Sequence, residues 1–170
     1  MGIDDRVEES KNWFERLVGK IPGYKGYKEK EVTRESDKIQ RVYIGERLDP
    51  VLGQLDTLKL DLLKGGKLDA LGDVDILMRK LRTVRDRVQF ADYGYAGLFD
   101  ATKAGSQTIQ QLYDFDKGLE IEATGIRDLA GTLAVGSPSL SSDIKLLGQK
   151  IEALGEHFSE RDHLITGAGR

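Results

Sequence analysis

The chain has 170 residues, of which 39% are hydrophobic and 32% charged, with a formal net charge of −3. That size and balance suit one domain around a single hydrophobic core and exclude a disordered polar chain. The slightly acidic balance offers no general attraction to nucleic acid or anionic lipid. Cysteine is absent, which excludes disulfides, thiolate metal sites and cysteine nucleophiles.

The chain opens with Asp4, Asp5, Glu8 and Glu9, the reverse of the basic start of a secretory signal. No apolar run is long enough to span a bilayer. A cytoplasmic location is expected. A first helix is predicted from Asp4 or Asp5 to about Gly19. Asp5 and Glu8 resemble a capping box there, and Val7, Phe14, Leu17 and Ile21 share one face. The segment Ile21 to Tyr27, IPGYKGY, reads as an ordered loop.

A second helix is predicted from near Lys28, with Ile39, Val42 and Tyr43 as its apolar face. At Asp49-Pro50 a break or kink is expected, because proline is favoured at a first helical position behind an aspartate cap. The restarted helix carries Leu52, Leu55, Leu58 and Leu62 and stops at Gly65-Gly66. From Val74 the apolar residues Leu77, Leu81, Val84, Val88, Ala91, Tyr95 and Leu98 follow at alternating spacings of three and four. That seam predicts one helix from Asp73 to about Ala104, with Gly94 and Gly97 inside it. Ile109, Leu112, Asp116, Leu119, Ala123, Ile126, Ala130 and Leu133 repeat the rhythm up to Gly136-Ser137-Pro138-Ser139. A last helix near Ser141 carries Ile144, Leu147, Ile151, Leu154 and Phe158, and the final ITGAGR reads as a frayed tail.

No strand pattern occurs. The predicted fold is all-α: an elongated antiparallel helical bundle of three long helices (about 30–64, 73–104 and 106–134) plus two shorter terminal helices. Residues 1–165 would form one domain and 166–170 a flexible tail. Short connections make sequence neighbours antiparallel, and the 20 glycines either allow close helix approach or mark breaks.

Three features bear on chemistry. The tyrosine–glycine segments Tyr24 to Tyr27 and Tyr93 to Gly97 can dock on one another, or line a pocket in which Tyr24, Tyr27, Tyr93 and Tyr95 surround a ligand and Asp116 or Arg85 anchors it. Asp116 falls on a helical seam, where a carboxylate needs a base or a hydrogen-bond donor. Arg79, Lys80, Arg82, Arg85 and Arg87 stand available on the preceding helix. His157, Glu160 and His163 contain one Glu-x-x-His, whereas a di-iron bundle needs two, so neither a metal nor another cofactor is expected. No G-x-S-x-G, P-loop or dinucleotide fingerprint is present, and both histidines lie near the C-terminal end. No catalytic residue is assigned, and the chain is not expected to be an enzyme.

Near the N-terminus Trp13, Phe14, Leu17 and Val18 cluster, but the polar residues around them mix both signs, unlike an interfacial helix. Membrane-surface contact is therefore not expected. The leading expectation is a protein-interaction or scaffold bundle that binds another protein or itself. The alternative is a small-molecule-binding bundle with a tyrosine-lined pocket.

The strings FERLVGKIPGYKGYKEKE (Phe14 to Glu31), the following Arg34 and Asp37-Lys38, YGYAGLFDA (Tyr93 to Ala101) and QLYDFD (Gln111 to Asp116) resemble those of a family of uncharacterised bacterial all-helical proteins. The resemblance implies a bacterial source and a helical fold and supplies no activity.

Overall fold

The computed structural model describes residues 21, 24, 32–93, 99 and 105–167. Among them are four helices, α1 (Arg34–Lys64), α2 (Leu68–Phe90), α3 (Ser106–Thr132) and α4 (Leu140–Gly167), and no strand. The all-α expectation holds, but the division into three long and two short helices does not. The last helix has 28 residues, against 31 in α1 and 27 in α3. It also runs past the expected start of the tail, because Ile165 is fully buried and fixes that turn. The first helix expected from the sequence lies outside the described residues.

α1 begins where Thr33 caps it. The Ser36 amide donates to the Thr33 hydroxyl at 3.1 Å and the Thr33 amide donates to the Ser36 hydroxyl at 3.0 Å, which satisfies two amides at the helix start. The expected restart at Pro50 is overturned, since α1 is helical through it. Proline removes one intrahelical hydrogen bond, from the carbonyl four residues back. Here both Pro50 and Glu46 lie on the exposed face, so water can serve the orphaned carbonyl.

The helix stops in a glycine turn. The Lys67 amide donates to the Leu62 carbonyl and the Gly66 amide to the Leu63 carbonyl, with Gly66 at φ 66°. This is the paired-bond helix stop that needs a left-handed residue, and it lets α2 start at Leu68, earlier than the seam suggested.

α2 ends at Phe90, not near Ala104. Ala91 is extended (φ −56°, ψ 132°), and residues 91–93 are not helical. The reason lies in Tyr93. In a continued helix it would fall midway between the seam positions 91 and 95 and point outward. The break instead turns it in against Arg41 and Asp162. The remainder of the YGYAG segment, including Tyr95, lies outside the described residues.

Cross-links fix the helix order. α1 meets α2 through Lys59–Asp75 (2.5 Å) and Asp49–Arg85 (3.0 Å), and α3 through Arg47–Glu120 (3.8 Å). α4 meets α3 through His157–Glu122 (2.5 Å) and α2 through Lys80–Glu152 and Arg87–Asp162 (3.2 Å). Residue numbers run oppositely across α1/α2 and together across α2/α4. Consecutive helices of each hairpin are therefore antiparallel, while α1/α3 and α2/α4 are parallel neighbours. α1 and α4 face each other across a diagonal, as do α2 and α3. Glycines permit the close approaches: an added Cβ on Gly45 would lie 2.2 Å from the Gln89 side chain, and one on Gly155 3.2 Å from Val84.

Candidate functional site

Each helix turns a seam of alternating three- and four-residue spacing inward. In α1 the buried seam is Asp37, Arg41, Ile44, Leu48, Val51, Leu55, Leu58 and Leu62. In α3 it is Ile109, Leu112, Asp116, Leu119, Ala123, Ile126 and Ala130. In α4 it is Ile144, Leu147, Ile151, Leu154, Phe158, Arg161 and Ile165. The four charged members of these seams gather at the end of the bundle where α1 and α3 start and α2 and α4 finish. On one side of them lies the main core, ending at Ile44, Val88, Leu119 and Phe158. On the other lies a small apolar cap of Val32, Ile109, Leu112 and Ile165, with Tyr93 and Phe99 against it.

Arg161 is the hub and has 0% exposure. Its Nε donates to Asp116 Oδ1 at 2.5 Å, its Nη2 to Asp37 Oδ1 at 2.6 Å and to Asp116 Oδ2 at 3.2 Å, and its Nη1 to the Tyr93 hydroxyl at 3.0 Å. The Tyr93 hydroxyl in turn donates to Asp162 Oδ1 at 2.8 Å. Arg41 holds the second oxygen of Asp37 at 2.8 Å and donates onward to the carbonyls of Val88 and Gln89 at the end of α2. Arg87 closes the set on Asp162 at 3.2 Å.

Three arginines thus meet three aspartates, and the charge is balanced within the network. Burial works to lower the Arg161 pKa, but the Asp116 and Asp37 carboxylates outweigh it and hold the guanidinium well above its ordinary value. Burial also raises the Tyr93 phenol. Arg161 pulls the other way, and Asp37 and Asp162 add to the rise, so the hydroxyl stays protonated as a donor. Such a group is stable as a whole and costly to break, because removing one ion strands its partner out of water.

Of the six residues expected to form a site, Tyr24, Tyr93, Arg85 and Asp116 are described, and Arg85 stands apart from Tyr93 and Asp116. Tyr93 and Asp116 do share the network, joined by Arg161. Tyr24 is half-buried, its ring 5.8 Å from Tyr113. Tyr27 and Tyr95 lie outside the described residues. Arg85 sits elsewhere on the α1/α2 face, bound to Asp86 (2.7 Å) and Asp49 (3.0 Å), the Asp86 hydrogen bond being the main cause of its raised pKa. The base for Asp116 comes from α4 rather than from the arginines of α2, because α2 is diagonal to α3 and cannot reach it. Arg161 was not named by the sequence reading, and Asp37, four residues before Arg41 and ion-paired to it at 2.8 Å, was read as local support for the helix and not as part of a site. Their signal was their phase: each continues an apolar seam without a slip.

Beside the network, a cleft of about 360 Å³ opens between the first turns of α1 and the end of α2, lined by Arg34, Lys38, Arg41, Phe90, Tyr93 and Phe99 together with Asp37 and Asp92. The Arg34 guanidinium lies 5.0 Å from the Phe99 ring centre and that of Arg41 5.2 Å from Tyr93, both cation–π geometry.

Among the described residues, no group of three or more histidine, aspartate and glutamate side chains converges as a metal site would, and no helix is long and apolar enough to cross a membrane. The described residues form a four-helix bundle with a buried, neutralised charge layer near one end. No family model, curated protein or solved structure matches the chain.

Proposed function

We propose that this chain is a non-enzymatic, cytoplasmic interaction or scaffold bundle, of the bacterial helical family that its tyrosine–glycine segments resemble, presenting its helical surface to another protein or to a second copy of itself. The observation that carries this reading is the exposure of Leu60, Leu63 and Leu68, at 58%, 52% and 66%, close together in the chain on either side of the α1–α2 turn. Single exposed leucines are ordinary, whereas several together mark a surface that gains by being covered. The buried ionisable groups support the same reading, since they satisfy one another rather than facing a substrate.

Light scattering during size exclusion, with a pull-down from the native host, tests the proposal. The expected result is a self-associated species or a recovered partner that is lost in the variant with Leu60, Leu63 and Leu68 all changed to serine. A monomer that captures nothing, or capture unaffected by the triple change, overturns it. A second reading, small-molecule binding, is favoured at one place, the cleft that Tyr93 shares with Arg34 and Lys38.

A further inference from the structure

We infer that the cleft between α1 and the end of α2 binds a small ligand with a flat apolar body and one anionic group, an aryl carboxylate or aryl phosphate. This rests on the second reading and names its site and ligand class.

The chemistry follows from how the lining residues are occupied. Arg41 and Asp37 are spent on the buried network, Arg41 through hydrogen bonds of 2.8 Å to Asp37 and 2.9 Å to the Gln89 carbonyl. Arg34 and Lys38, one helical turn apart on the same face of α1, have no carboxylate within salt-bridge distance among the described residues. Arg34 instead rests on Phe99. Phe90, 75% exposed, supplies an apolar wall with no cover of its own. The other acidic residue of the described lining, Asp92, has an interaction of its own, so Arg34 and Lys38 make this rim attractive to an anion. A volume of about 360 Å³ lies at the small end of ligand pockets, roughly 300–1,000 Å³, which suits one or two rings. Guanidinium and ammonium would take the anion while the phenylalanines take the ring face.

Proton–nitrogen correlation spectra of the full chain, titrated separately with benzoate, phenyl phosphate, inorganic phosphate and benzyl alcohol, test the inference. Saturable shifts confined to Arg34–Arg41 and Phe90–Tyr93, with either aryl anion and at least tenfold weaker with both controls, are expected. Benzoate and phenyl phosphate distinguish the two anion types. The double variant R34Q/K38Q, exposed at both positions and checked for an unchanged melting temperature, should weaken binding at least tenfold, and F90A about as much. Saturable shifts mapping to another surface overturn the site while sparing small-molecule binding. Equal binding of benzyl alcohol, or no saturable binding of either aryl anion, overturns the ligand class.

Discussion

Arg161 and Asp116 are held by two hydrogen bonds, 2.5 and 3.2 Å long, with both side chains at 0% exposure. They join α4 to α3, and through Asp37 the same guanidinium reaches the diagonal helix α1 at 2.6 Å. One side chain therefore ties three of the four helices into a single axial register. R161M removes the guanidinium that Asp116 and Asp37 share, leaving Asp37 with Arg41, and should lose about 3–5 kcal/mol in urea denaturation. In D116L/R161M, Asp37 keeps Arg41 as its partner, so the double variant should be more stable than R161M alone. Additive losses would show that the pair does not act as a unit.

The Tyr93 hydroxyl accepts from Arg161 at 3.0 Å and donates to Asp162 at 2.8 Å. Y93F leaves both partners short of a bond and should cost about 1–3 kcal/mol. A loss confined to a few tenths would mean that water replaces the hydroxyl.

Alkaline pH should unfold the bundle through its tyrosines. Burial raises Tyr93 and pushes Tyr113 up to about 12, from an ordinary value of 10.0. A raised folded-state pKa means stability fully present below pH 10 and lost as pH rises toward the folded values. Stability against urea should therefore be flat from pH 8 to about 10 and fall beyond it, and less steeply in Y93F/Y113F. An unchanged slope in that variant would assign the loss to other groups.

At the α1–α2 turn Gly66 has φ 66° while its neighbour Gly65 has φ −83°. G66A should lose about 1–2 kcal/mol, the penalty for a side chain in the left-handed region. G65A meets only ordinary contacts at 3.4 Å and beyond and should be nearly neutral. Equal thermal shifts for both would contradict this division.

Helix glycines should separate by what surrounds them. An added Cβ at Gly118 or Gly125 meets nothing within 4 Å, whereas at Gly45 it collides with Gln89. G118A and G125A should each stabilise the chain by about 0.5–1 kcal/mol, the ordinary helix cost of glycine. G45A should destabilise it, as read by thermal unfolding. A stabilising G45A would mean that Gln89 swings clear at little cost.

Spacing along the chain determined much of this protein by itself. The alternating three- and four-residue seams named most of the inward residues of α2, α3 and α4, because a helix's period alone decides which side chains share a face. The same rule placed Asp116 inside, and extended by one step it places Arg161 inside as well. Seam phase also misled: it carried α2 past Phe90, since the periodicity is blind to the turn that brings Tyr93 inward. Pro50 misled by its local preference, which gave way because the orphaned carbonyl faces water and the buried seam of α1 continues on both sides of it.

What only the tertiary structure decided is which helices are neighbours. Asp116 needed a cation from the moment its seam position was read, and five basic residues stood on the preceding helix. Placing α2 diagonally across the bundle put them out of reach and gave the role to Arg161. A periodic sequence fixes the inward face of each helix. The partner across the core depends on the packing of all four at once, and a buried ion pair is satisfied only by that joint arrangement.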